Sequence, residues 1–206
     1  FAALAFLTEW LGIEIYADNV AVSTSVAPLI AAACIFGIHG AMFLALALSC
    51  APLLKYHSPL NRFVFNASNH LLAGLLSANF VIMTGIEIGP RPGLDSILVL
   101  LIATAINYLV TTLLLTGALV LDSGQSFRQI WTERFGWLWP YYAALGAIAY
   151  ALAIGYMSSG IVGIVVILIP LLMIRLSQTQ YIRRTEGIVS QLRSTNEELT
   201  KRTQEI

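Results

Sequence analysis

One stretch of the sequence places several side chains with hydrogen-bonding or proton-binding chemistry inside an apolar run. Their spacing puts them on one face of a predicted helix, together with Ala73; they are Arg62, Asn66, Asn69, His70 and Ser77. Polar groups are costly in lipid, so this face must look into the interior of a helix bundle. His70 has the widest chemistry of the set, because an imidazole binds a proton, a cation or a ligand near neutral pH.

Two other predicted helices carry polar residues that could complete an interior site. Asn107 and Tyr108 lie in the next apolar run, and Ser23, Thr24 and Ser25 lie in an earlier one. The sequence therefore predicts a ligand-binding site whose residues are Asn66, Asn69, His70 and Asn107. The alternative is that these groups only hydrogen-bond between helices, which is a common role for Asn and His in membrane bundles.

No other chemistry is indicated. The histidines lack the spacing of metal ligands, and no cofactor motif is present, so we predict no metal site and the cofactor is unknown. Cys34 and Cys50 are interpreted as small buried hydrophobic residues. Glu14 and Asp18 are interpreted as solvated charges at the level of the lipid headgroups.

Composition identifies the class of protein that must position these residues. Hydrophobic residues make up 58% of the chain and charged residues only 11%, and the mean hydropathy is +0.80. These values indicate an integral membrane protein surrounded by lipid. Basic and acidic residues both number 11 and form no basic stripe, so we expect no nucleic-acid partner.

Apolar runs separated by short turns predict an all-α, polytopic transmembrane helix bundle of six or seven spans over residues 1–175. The predicted spans lie at about residues 1–11, 20–37, 41–54, 63–83, 97–120, 142–157 and 161–174. The sequence GIHG at residues 37–40 predicts a tight turn between two short spans. The segment up to residue 142 is rich in aromatic residues, which predict an aromatic belt at the inner headgroups: Trp131, Trp137, Trp139, Tyr141 and Tyr142.

Positive charges predict the orientation of the bundle. Basic residues occur in alternate loops, after the third, fifth and last spans, and positively charged short loops remain in the cytoplasm. We therefore expect a multi-pass protein of the cell inner (plasma) membrane with a cytoplasmic C-terminus.

Residues 176–206 predict a cytoplasmic coiled-coil signalling helix that continues from the last span toward an output domain. Apolar residues and one Asn repeat with heptad spacing, and the predicted dimerisation residues are Ile182, Val189, Leu192, Asn196 and Leu199. Leu at successive d positions with one Asn at an a position is typical of a parallel dimer, so we expect a homodimer. The alternative is a solvated amphipathic helix.

The sequence VAVSTSVAPLIAAACIFGIHGAMFLALALS, the basic loop after it and PLNRFVFNASNHLLAGLLS resemble a known class of domain. They are similar to the N-terminal membrane sensor (MASE-type) regions of bacterial signalling proteins with HD-GYP, HD or GGDEF output domains. The residues that carry the resemblance are Ser23, Ser25, Pro28, Phe36, Gly37, Arg62, Phe65 and Asn66, and Ala27 departs from the hydrophobic residue expected before the Pro. The resemblance implies a cytoplasmic HD-type phosphohydrolase or an enzyme of cyclic di-GMP metabolism beyond residue 206.

The 206 residues themselves contain no catalytic motif: GxSxG, P-loop, HExxH, HD pair and GxGxxG are all missing. We therefore expect this part of the protein not to be an enzyme. The first functional hypothesis is a dimeric sensory input module that transmits a signal through its last helix. The alternatives are a small-molecule transporter and an accessory subunit that contacts other membrane protein subunits.

Overall fold

The computed structural model describes residues 1–10, 13–15, 20–22, 24–56, 59–86, 89, 93–169 and 173. The chain forms two compact units, Phe1–Gly163 and Ile164–Ile206. The first unit contains the helices α1 (Ala2–Trp10), α2 (Val26–Tyr56), α3 (Leu60–Thr84), α4 (Leu94–Ser123), α5 (Phe127–Ile130) and α6 (Trp139–Ser159). In the second unit, residues 164–169 are helical.

A short antiparallel ladder connects α1 to α2. Strand β1 (Ile13–Ile15) pairs with β2 (Val20–Val22), and Glu14 lies opposite Ala21. A membrane span was predicted to start near Val20, and that boundary was wrong, because helix α2 begins only at Val26.

Helix α2 is folded into a hairpin at Gly37. This glycine has φ 61° and ψ −146°, a conformation that is open essentially only to glycine. A Cβ on Gly40 would lie 2.6 Å from the carbonyl oxygen of Ala32, and Leu29 packs in one cluster with Leu48. Such contacts are impossible along one straight helix, in which residues rise by about 1.5 Å each. Residues 26–36 and 38–56 are therefore antiparallel arms, and the predicted turn at GIHG is confirmed.

The sequence GIVG at residues 160–163 repeats this turn. Gly160 has φ 58° and ψ −136°, and a Cβ on Gly163 would collide with the carbonyl group of Gly155. The first glycine takes the same strained conformation in both turns. The glycine at the fourth position of each motif approaches the carbonyl of the residue eight positions earlier. Both GxxG motifs thus show the same close approach of two backbone segments.

The remaining helices pack as antiparallel neighbours. The hydroxyl of Ser77 in α3 donates to the carbonyl of Ala103 in α4 at 2.9 Å, which fixes the register of that pair. A Cβ on Gly146 of α6 would lie 3.1 Å from Oγ1 of Thr104, which fixes the register of α6 on α4. Helix α2 contacts α1, α3 and α6 and lies at the centre of the unit.

The aromatic segment before α6 is helical, although the sequence analysis treated it as a loop. A π-helical turn (Trp131–Phe135) and a 3-10 turn (Gly136–Leu138) connect α5 to α6. Tyr108 packs there in a buried cluster with Phe135 and Leu138. Trp137 and Trp139 are exposed, and the aromatic belt at the headgroups stays a prediction.

Among the described residues, three helical segments are long and apolar enough to cross a membrane: Val26–Lys55, Leu94–Ser123 and Phe127–Ser159. The first of them includes the reversal at Gly37. Large apolar side chains on the outside of the bundle, such as Phe43, Leu98 and Ile102, are exposed as lipid contact requires. The prediction of a helical membrane protein is confirmed, and the count of six or seven spans stays a prediction.

Candidate functional site

The first helical arm of α2 begins in the interior of the bundle. Residues 26–36 rise only about 16 Å, whereas residues 38–56 rise about 28 Å beside them. The arms pair Leu29 with Leu44, so the start of the short arm lies near the middle of the long one. A helix that begins at such a depth leaves its first backbone N–H groups to be satisfied inside the bundle.

Glu9 of α1 lies at this helix start. The hydroxyl of Ser25, the residue before α2, donates to Oε2 of Glu9 at 2.6 Å. Ser25 is buried and Glu9 is half-buried. A carboxylate is favourable at a helix N-terminus because the dipole there is positive, so Glu9 stabilises the interior end of the arm.

Two titratable groups from other helices lie near the depth of Glu9. The imidazole of His70 in α3 lies one turn before Gly74, which packs against Leu29 of α2. The phenol of Tyr142 in α6 lies one turn before Gly146, which packs against Thr104 of α4. The ring of Tyr142 lies 4.9 Å from that of Tyr108 in α4, measured between centroids. The structure thus brings one polar or titratable side chain from each of α1, α3, α4 and α6 to the same depth. We call Glu9, Ser25, Asn69, His70, Asn107, Tyr108 and Tyr142 the central polar layer.

Two carboxamides of the layer are deeply buried with unused hydrogen-bonding atoms. Asn69 is 4% exposed and Asn107 is 1% exposed. Oδ1 of Asn69 and Nδ2 of Asn107 find no hydrogen-bond partner among the described residues. An unsatisfied buried polar atom costs about 1–3 kcal/mol, so both atoms point to a group that completes them.

Helix register shows where these two atoms face. Asn69 lies two turns before Ser77, on the side of α3 that contacts α4. Asn107 lies one turn after Ala103, which contacts α3, and three residues after Thr104, which contacts α6. Asn107 therefore faces between α3 and α6, at the depth of Tyr142.

The π-helical turn borders the central polar layer, and side chains of α4 hold it in place. The hydroxyl of Tyr108 donates to the carbonyl of Phe135 at 3.0 Å. Nε1 of Trp131 lies 3.4 Å from Oγ1 of Thr112. Irregular backbone at membrane depth needs such partners, because lipid offers none.

The four predicted ligand-binding residues are all described. Asn69 and Asn107 are buried, and Asn66 and His70 are half-buried on α3. Their role in ligand binding stays a prediction. The predicted dimerisation residues Ile182, Val189, Leu192, Asn196 and Leu199 lie outside the described residues.

Sequence reasoning missed Glu9 and the interior position of Tyr142. Glu9 is an acid inside the apolar run FAALAFLTEW, and that position alone marks a candidate site in a membrane helix. Tyr142 was assigned to the headgroup belt because it follows three tryptophans, but its ring packs against Tyr108.

Among the described residues, no group of three or more His, Cys, Asp or Glu side chains could hold a metal ion. No protein family, curated protein or solved structure matches this chain. The candidate function therefore depends on the layer and on the sequence of the C-terminal segment.

Proposed function

We propose that this chain is the membrane-embedded sensory input module of a bacterial signalling protein. The central polar layer would receive the stimulus, and the last helix would transmit the response to a cytoplasmic output domain. By the resemblance given above, that domain would be an HD-type phosphohydrolase or an enzyme of cyclic di-GMP metabolism. The protein would act as a homodimer in the inner membrane.

The observation that carries the proposal is the burial of incompletely bonded polar groups at one depth in an apolar bundle. Asn69 and Asn107 have unused atoms, and Glu9 places a carboxylate near the depth of His70. Structural hydrogen bonds between helices satisfy both partners, as the Ser77 hydroxyl does with Ala103. The layer therefore has more hydrogen-bonding capacity than the packing of the bundle uses.

The C-terminal sequence favours signalling over transport. Its heptad spacing, with Asn196 at an a position, would fix the alignment of two parallel helices. A transporter needs no such cytoplasmic helix, whereas a module that transmits a conformational change to an enzyme does. The layer is also compatible with transport, which remains the second candidate because ligand sites of transporters lie near the bilayer midplane.

Cross-linking in native membranes tests the dimer. Cysteine replaces Leu192 or Leu199 in a variant whose native Cys34 and Cys50 are replaced by alanine. We expect disulfides between copies at both positions, and a much lower yield when cysteine replaces Ser194, whose f position points away from the seam of a coiled coil. Equal yields at all three positions, or none, would contradict the parallel coiled coil.

Replacement of His70 by Leu separates a sensory residue from a packing residue. A sensory His70 predicts a nearly unchanged thermal midpoint and loss of signalling output in the complete protein. A variant that is destabilised, yet signals normally when folded, would assign His70 to packing. Uptake of a solute into vesicles containing the purified chain would instead support the transporter.

A further inference from the structure

We propose that the central polar layer binds a small organic cation, namely a protonated amine that also carries a hydroxyl or carbonyl oxygen. Glu9 would face the ammonium group, and the carboxamides of Asn69 and Asn107 would bind the polar remainder. This inference rests on the proposed function, because it names the ligand class of the same site.

The negative charge of Glu9 in the central polar layer favours a positively charged ligand. In the described part of the chain, the one hydrogen bond to the Glu9 carboxylate comes from the neutral hydroxyl of Ser25. No described Lys or Arg forms an ion pair with Glu9, and Lys55 donates instead to the carbonyl of Trp10 at 2.8 Å. A carboxylate among membrane helices needs a compensating positive charge.

The unused carboxamide atoms distinguish an organic cation from a metal ion. A metal ion could bind the oxygen of Asn69, but it offers no acceptor to Nδ2 of Asn107. A hydroxyl group can donate to Asn69 and accept from Asn107 at the same time. A ligand with both an ammonium and an oxygen therefore satisfies the carboxylate and the two carboxamides together.

The aromatic groups of the layer suit the same ligand. The rings of Tyr108 and Tyr142 pack 4.9 Å apart, measured between centroids. Ammonium groups bind favourably over phenol faces, most strongly where water is excluded. His70 completes the layer from α3 and can accept a hydrogen bond in its neutral form.

The test uses ethanolamine, which is protonated at neutral pH and carries one ammonium and one hydroxyl. Thermal unfolding of the purified full chain in mild detergent is measured against ethanolamine hydrochloride. Sodium chloride at equal ionic strength tests for a bare cation, and ethylene glycol tests for the hydroxyl without the charge. A ligand that binds the folded state raises the thermal midpoint in proportion to the logarithm of its concentration above Kd.

Glu9→Gln is the decisive variant, because Gln keeps an acceptor for Ser25 while removing the charge. Glu133→Gln is its matched control, because Glu133 is exposed on the π-helical turn. We expect ethanolamine to raise the midpoint of the unmodified chain and of Glu133→Gln. For the same rise in the thermal midpoint, Glu9→Gln should need at least about tenfold more ethanolamine, because the charged hydrogen bond to the ammonium group is lost.

Three results would overturn the proposal: no rise with ethanolamine, an equal rise with sodium chloride or ethylene glycol, or an unchanged response of Glu9→Gln. This measurement does not depend on signalling. Binding without any response of the C-terminal helix would therefore support this ligand site and contradict the sensory function.

Discussion

Replacing Gly40 by Ala should destabilise the bundle, because two backbones approach one another at this residue. The new Cβ would lie 2.6 Å from the carbonyl oxygen of Ala32 and 2.6 Å from Cβ of Phe36. Comfortable contacts between such atoms are about 3.5–4.0 Å, so the two arms of α2 must separate by close to 1 Å. That movement would open the cluster of Ala33, Ala41 and Ala78.

The size of the effect follows from two opposing contributions. Overpacking of this kind costs about 1–3 kcal/mol. Removing a helical glycine returns about 0.5–1 kcal/mol. The difference is about 0–2.5 kcal/mol, so we expect Gly40→Ala to lower the free energy of unfolding by about 1 kcal/mol.

Gly117→Ala provides the matched control, since it is the same chemical change within helix α4. A Cβ at Gly117 would meet nothing within 4 Å. This variant should raise the free energy of unfolding by up to about 1 kcal/mol. Denaturant unfolding of both purified variants, followed by tryptophan fluorescence, gives the comparison. If Gly40→Ala were as stable as Gly117→Ala, the close approach of the arms would be refuted.

Two further variants test the turn and the π-helical segment. Gly37→Ala should cost about 1–3 kcal/mol because the backbone conformation of Gly37 is essentially restricted to glycine. Its control, Gly85→Asn, should be nearly neutral because Asn tolerates the left-handed conformation of that helix cap. Equal midpoints of the two variants in thermal unfolding would contradict the strain at Gly37. Tyr108→Phe should cost about 1 kcal/mol by removing the hydrogen bond to the Phe135 carbonyl. Tyr156→Phe serves as a control in the same assay, and equal losses would assign no special role to the Tyr108 hydroxyl.

The elements that could be predicted from sequence are those with strong local signals. Apolar run length indicated a membrane bundle, and the two glycines of GIHG indicated the reversal at Gly37, which is found. The predicted α3 face is buried at Asn69, Ala73 and Ser77, as expected because polar groups avoid lipid, whereas Arg62 at its start is exposed.

Other features depend on tertiary contacts that local patterns do not contain. The aromatic segment before α6 resembles a loop in composition, but packing on α4 and the Tyr108 hydrogen bond hold it as a helix with a π-helical turn. Glu9 becomes part of the site only because α2 begins at the same depth and presents Ser25 to it. The heptad segment lies outside the described residues, so its pairing stays a prediction.

The most direct test of the sensory account measures whether the central polar layer controls the C-terminal helices. Spin labels on cysteine at position 199 of two copies, with Cys34 and Cys50 replaced by alanine, report the distance between helices in lipid nanodiscs. A sensory function predicts one short distance between the labels that changes when ethanolamine is added, and no change in this distance in Glu9→Gln at the same concentration. If ethanolamine left this distance unchanged in the chain with Glu9 intact, the sensory function would be contradicted.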